Sequence, residues 1–131
     1  MTKRKVMKYL VEHYHGEKVV FGDHDFEITK GDRTFHIVFL KIGPNAQLTI
    51  NSKTHFEVAV GKKEGIRFIK KQSTLYDFRK FFRKKNKIVY MLGKPFRTLQ
   101  HLNESDIVDI SGEMIVHDYR LFRSIKDFET L

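Results

Sequence analysis

Phe26-Glu27-Ile28-Thr29, Lys30-Gly31-Asp32-Arg33 and Thr34-Phe35-His36-Ile37-Val38-Phe39-Leu40-Lys41-Ile42 run consecutively and decide the fold. β-Branched and aromatic residues flank a polar turn that carries a glycine, the pattern of a β-hairpin. Its second arm, Phe35 to Leu40, is apolar on both faces apart from His36. A strand of that kind belongs in the middle of a sheet, covered on both sides. His36 then reads as a hydrogen-bonded core residue.

Outward from this hairpin the strand signals continue. Gly43-Pro44-Asn45 is a turn, and Gln47-Leu48-Thr49-Ile50 alternates as a half-buried strand does. Thr54 to Val60 and Ile66 to Lys70 form a second predicted hairpin around the loop Gly61-Lys62-Lys63-Glu64-Gly65. Upstream, Lys18 to Phe21 reads as a short strand. Residues 3 to 14 read as a helix, because Val6, Leu10 and Tyr14 share one face and Gly16 offers a stop. Downstream, Thr74 to Asp77 resembles a capping box, and Leu75, Phe78 and Phe82 recur at helical spacing. This predicts a basic amphipathic helix over 75–85. A strand at Lys87 to Leu92, a short helix at Phe96 to Leu102 and strands at Ile107 to Ile110 and Met114 to His117 follow. A last helix carries Leu121, Phe122, Ile125 and Phe128. The expected class is therefore α+β: a predominantly antiparallel sheet, a meander, with N-terminal, central basic and C-terminal helices in one domain, 1–131.

The composition, 40% hydrophobic and 31% charged, is that of a globular chain rather than a disordered one. The chain has no cysteine, which excludes disulfides, thiolate nucleophiles and cysteine-based zinc sites. The longest clean apolar run, Ile37 to Leu40, is far too short to span a bilayer. A cytoplasmic protein is the default expectation.

Charge is the most informative property. The net charge is +9, yet between Lys62 and Arg97 thirteen basic residues face only Glu64 and Asp77, a local net charge of +11. The remainder has twelve basic and fourteen acidic residues. A concentrated positive block attracts polyanions and steers their approach. The expected function is nucleic-acid binding, DNA or RNA, through the aromatic-rich 62–97 surface, as a regulator or accessory factor. The candidate contacts are Lys62, Lys63, Lys70, Lys71, Arg79, Lys80, Arg83, Lys84, Lys85 and Lys87. Tyr76, Phe81 and Phe96 fit the core pattern least well and are candidates for stacking on unpaired bases.

Two other readings compete. On the predicted 54–70 hairpin, with Val60 opposite Ile66, strand alternation gathers His55, Glu57, Arg67 and Lys71 on one face. A histidine and a carboxylate as acid and base, with a cation to stabilise the phosphorane, would suit a small metal-independent ribonuclease. A cross-strand salt bridge from Glu57 to Arg67 or Lys71, beside a surface histidine, explains the same residues. The third reading is an inhibitor or interaction protein for an acidic protein or a ribonucleoprotein. Asp23-His24-Asp25 is a conceivable metal ligand set, but adjacent strand residues point to opposite faces and no second ligand pair follows at metal spacing. No metal and no cofactor is expected. No phosphate-cradling glycine motif, Ser-His-Asp signature or dinucleotide fingerprint is present, which favours a binding protein over an enzyme.

Ser73 to Ile110 resembles the DNA-binding domain of LytTR-type response regulators in the Thr74-Leu75 opening, the strand after it, and Leu102-Asn103 backed by Ile107 and Ile110. The basic residues that precede the Val-Asn pair in that family are missing here, so no family is assigned from the resemblance.

Overall fold

The computed structural model describes all residues, Met1–Leu131. It contains one α-helix, α1 (Lys3–Tyr14), and eleven strands. These are β1 (Glu17–Lys18), β2 (Phe26–Lys30), β3 (Arg33–Lys41), β4 (Ala46–Ser52), β5 (His55–Glu64), β6 (Arg67–Asp77), β7 (Lys87–Leu92), β8 (Arg97–His101), β9 (Ile107–Asp109), β10 (Ile115–Val116) and β11 (Tyr119–Phe122). Short 3₁₀ turns cover Phe81–Arg83 and Ile125–Thr130. Strand makes up 49% of the chain and helical residues 16%, in two mixed sheets. The expected antiparallel meander with three helices is thus corrected to two mixed sheets with one helix. Met1–Lys41, Lys80–Leu92 and Met114–Leu131 form one compact unit, and Ile42–Arg79 with Gly93–Glu113 form a second.

In the first unit the sheet order is β1-β2-β3-β7-β11-β10. The β2/β3 hairpin is antiparallel, but β3/β7 and β7/β11 are parallel, with Ile37 opposite Ile88 and Leu121 opposite Val89. Strands buried on both faces are what parallel pairing needs, and β3 and β7 supply them. Helix α1 starts where the Thr2 hydroxyl accepts the Lys5 N–H and packs Val6 and Leu10 into the core. It stops at His15, which adopts the left-handed conformation (φ 51°), rather than at Gly16. Gly16 serves packing: a Cβ there would come within 2.3 Å of the Phe26 ring. The core joins Val6 and Leu10 to Phe26, Ile28, Phe35, Ile37, Ile88, Tyr90, Phe122 and Phe128.

In the second unit the order is β6-β5-β4-β8-β9, with β4 and β8 parallel. The expected five-residue loop is a two-residue one. Glu64 pairs with Arg67 across Gly65-Ile66, and Gly65 takes φ +60° as a tight hairpin turn demands. A bulge between Val60 and Gly61 then shifts the register, so Val60 faces Gln72 and Glu57 faces Leu75. The glycine is required there, because a Cβ on Gly61 would lie 1.9 Å from the Ile69 carbonyl oxygen.

The other helix expectations fail for local reasons. The predicted 75–85 helix does not form, because Ser73 to Tyr76 continue β6 against β5. The Asp77 carboxylate accepts the Arg79 N–H at 3.0 Å, closing an Asx turn instead of capping a helix. Phe96 to Leu102 is mostly strand β8, paired with β4. The tail is strand β11 followed by a 3₁₀ turn capped reciprocally by Ser124 and Asp127. Of the expected strand Lys18 to Phe21 only Lys18 pairs, and Phe21 is 93% exposed.

Candidate nucleic-acid interface

The basic segment is divided between the two units. Lys62, Lys63, Arg67, Lys70, Lys71, Arg79, Lys94 and Arg97 belong to the second, and Lys80, Arg83, Lys84, Lys85 and Lys87 to the first. Counted by unit, the first has sixteen basic and nine acidic residues, net +7, and the second nine and seven, net +2.

In the second unit the long β5/β6 hairpin is a two-stranded ribbon with an exposed end. Lys62 pairs with Glu64 at 3.5 Å and Lys70 with Glu57 at 3.3 Å. Lys63, Arg67 and Lys71 have no carboxylate partner, and Lys71 is the extra residue at the bulge. Lys63 lies opposite Phe68, and its Nζ is 5.2 Å from the Phe96 ring centroid. The Phe68 and Phe96 rings are 5.5 Å apart, and both remain half-exposed. The Arg97 guanidinium is 4.9 Å from the Phe96 centroid and is held by Nε donating to Gln47 Oε1 at 2.6 Å. The Phe68 ring of the ribbon and the Phe96 ring, the latter with Lys63 and Arg97 over it, therefore form a platform at the ribbon. Of the other predicted stacking residues, Tyr76 is half-buried and Phe81 is buried.

Arg79 is not a free cation. Its guanidinium grips the Asp77 carboxylate through Nε and Nη2, the latter at 2.7 Å. Those hydrogen bonds hold the Asp77 carboxyl below its ordinary range.

In the first unit Lys80 is exposed, and the 3₁₀ turn that follows it buries Phe81 while leaving Arg83 outside. Phe82, Arg83, Lys84, Lys85, Asn86, Lys87, Ile115, Asp118 and Arg120 line a cleft of about 550 Å³. Five cations face one carboxylate there. Asn86 takes φ 53° and donates its amide to the Thr34 carbonyl at 3.2 Å, which fixes the loop against the sheet. Lys87 is only 5% exposed: its ammonium donates to the Lys84 carbonyl at 3.0 Å and lies over the Phe82 and Tyr119 rings. It shapes the cleft from beneath rather than presenting a free charge. Arg120 Nε is buried in the wall without a hydrogen-bond partner.

No protein-family model, curated protein or solved structure matches this chain. The functional reading therefore rests on its own residues.

The structure does not bring the ribonuclease residues together. His55 lies 3.8 Å from Asp77 and bonds Thr54 through Nδ1, while Glu57 pairs with Lys70. Arg67 is opposite Glu64, seven residues along the strand from Glu57 and hence about 23 Å away at the usual rise. The sequence alone does not mark Phe68, Arg97 or Arg120 as contacts. Strand alternation on the predicted 54–70 hairpin puts Phe68 on the core face, whereas beyond the bulge, near the two-residue turn, it stays half-exposed. No local signal marks Arg120, because it reaches the cleft through the parallel β7/β11 pairing.

No helix is long and apolar enough to cross a membrane.

Proposed function

We propose that this protein binds single-stranded nucleic acid, with the β5/β6 ribbon and the Phe68/Phe96 platform as the principal contact. The observation that carries the reading is the pair of half-exposed rings 5.5 Å apart, with Lys63 and Arg97 over the Phe96 ring and the Phe68 ring free of a cation. Unpaired bases stack on exposed aromatic rings, and the adjoining cations follow the phosphates. The unpaired Lys63, Arg67 and Lys71 supply an electrostatic track on the same ribbon. In the other unit, the cleft lined by Arg83, Lys84, Lys85 and Arg120 offers phosphate a second positively charged surface.

The test is fluorescence anisotropy with labelled single-stranded RNA, single-stranded DNA and duplex DNA. Replacing both Phe68 and Phe96 with Ala is expected to remove about 1–3 kcal/mol per stacked base, roughly 5- to 150-fold in affinity. Duplex binding stronger than single-strand binding, or an unchanged affinity in the double variant, would overturn the platform assignment. A second reading, an acidic protein partner, is favoured by β6, an edge strand whose Ile69 and Leu75 are exposed. Such an edge can accept a further strand. Capture of a protein by a chain with no affinity for any of the three oligonucleotides would select that reading.

A further inference from the structure

We infer that His24, Glu27 and His36 form a binding site for a divalent transition-metal ion of the zinc class. The three side chains come from different places in the first unit. Glu27 on β2 and His36 on β3 are direct cross-strand partners, so they project from the same face of the hairpin. His24 reaches them from the loop just before β2. One ligand atom from each lies within 4.8 Å of the other two, and His24 Nε2 is 2.8 Å from Glu27 Oε1. Ligands about 2.0–2.1 Å from a tetrahedral ion lie roughly 3.3 Å apart, so side-chain rotation of about 1.5 Å closes the set.

The surroundings are those of ligands rather than of a simple ion pair. The His36 Nδ1 atom is 2.6 Å from the Lys85 carbonyl oxygen. A carbonyl can only accept, so Nδ1 carries the proton and Nε2 is left with its lone pair. This second contact is what fixes the tautomer and orientation of metal-binding histidines. The His24 side chain is 4% exposed, and its Nδ1 has no hydrogen-bond partner. A histidine buried only as part of a core would be satisfied at both nitrogens. The His36 ring meets the His24 ring edge-on, with centroids 4.9 Å apart. Charged groups adjoin the ligands in sequence or across the strands, and one of them, Glu17, lies opposite Glu27 on β1. Asp25 turns its carboxylate to the Phe39 N–H at 2.9 Å, and Lys87, paired with His36 across β3/β7, turns its ammonium to the Lys84 carbonyl.

The donor set selects the ion. Two imidazole nitrogens and one carboxylate suit Zn²⁺, Co²⁺, Ni²⁺ or Cu²⁺, whereas Mg²⁺ and Ca²⁺ prefer oxygen ligands throughout. Three protein donors leave a coordination position for water or for a ligand atom, as in catalytic rather than structural zinc sites. Glu27 and His36 are half-buried, which gives that position a route to solvent. An ion bound at His24 Nε2 takes the place of the hydrogen atom between His24 and Glu27, and a neutral His24 then carries its proton on Nδ1.

The test is titration of the full chain, stripped with a chelator, with Co²⁺ followed by visible absorption, then displacement by Zn²⁺. The expected result is saturation at one ion per chain with the intense bands of a tetrahedral nitrogen–oxygen site, and no competition from Mg²⁺. His36→Gln and Glu27→Gln, both at half-buried positions, should each weaken binding by more than the roughly 10- to 100-fold that loss of an outer contact costs. His55→Ala, a histidine of the other unit, should bind as the parent does. Circular dichroism in chelator confirms that each variant is folded before it is titrated. Absence of a saturable band, or a parent-like affinity in the folded His36→Gln/Glu27→Gln double variant, would overturn the site.

Discussion

The ribbon cations give the sharpest quantitative expectation. Lys63, Arg67 and Lys71 are unpaired, whereas Lys62 and Lys70 already neutralise Glu64 and Glu57. If each unpaired cation meets one phosphate of a single strand, the three contribute a slope of about −2 in log affinity against log salt. Raising salt from about 50 to 200 mM, a fourfold change, then weakens binding about 18-fold through these residues alone. Converting all three to Ala should flatten the plot by about two units and leave the stacking contribution intact. The companion Lys62→Ala/Lys70→Ala variant should change the slope far less, because those two lysines are engaged with Glu64 and Glu57 rather than with phosphates. The assay is anisotropy with a labelled oligonucleotide across that salt range, with urea denaturation showing that each variant is folded. If the triple variant keeps the parent slope, or the companion variant flattens it equally, pairing with carboxylates does not determine which cations bind and the argument fails.

Two further expectations concern the fold. Gly61→Ala places a Cβ 1.9 Å from the Ile69 carbonyl and should cost about 1–3 kcal/mol as overpacking, while Gly43→Ala, with open space around it, should be close to neutral; equal denaturation midpoints for the two would show that the bulge does not need glycine. Burial pushes the Tyr119 phenol well above its ordinary value of 10.0, so the folded state favours the neutral form. That contribution is complete below pH 10 and is lost as pH rises past it, by up to about 1.4 kcal/mol per pH unit. Tyr119→Phe should therefore show a shallower fall in stability above pH 10, with a residual slope from Tyr14 and Tyr90, whose phenols are also raised by burial; an unchanged alkaline limb would refute this.

What the sequence reveals divides along the line between local and distant contacts. Helix α1 and the β2/β3 hairpin depend on neighbouring residues, and both lie where the pattern puts them. The same hairpin already implied that Glu27 faces His36, because pairing across a turn centred on Gly31-Asp32 sets that register. The ligand triad was thus partly legible. The neighbours of His24 alternate in direction and offer it no ligand partner; its partners lie three and twelve residues away. The 75–85 stretch shows the opposite limit. Leu75, Phe78 and Phe82 have helical spacing, yet pairing with β5, fixed by a tight turn and a bulge upstream, keeps Leu75 in a strand. The parallel pairs β3/β7, β7/β11 and β4/β8 join segments separated by other elements, and no local pattern encodes such partners.

The charges on β6 have a rival explanation that needs no ligand. Edge strands are kept from pairing with other chains by lysines, and β6 is an edge. That explanation accounts for Lys70 and Lys71. It also fits the bulge, which twists the strand. It does not account for Phe68 and Phe96, since a strand designed only to repel would not leave two adjacent rings half-exposed beside it. Nor does it account for Arg97, which lies on interior strand β8 and is held by Gln47 with its guanidinium against Phe96. An arginine ordered in this way has already lost the side-chain freedom that binding would cost. Protection of the edge and recognition of a strand of nucleotides make different demands on the same ribbon. The rings, rather than the lysines, separate them: Phe68→Ala/Phe96→Ala should leave solubility unchanged while weakening binding to oligonucleotide.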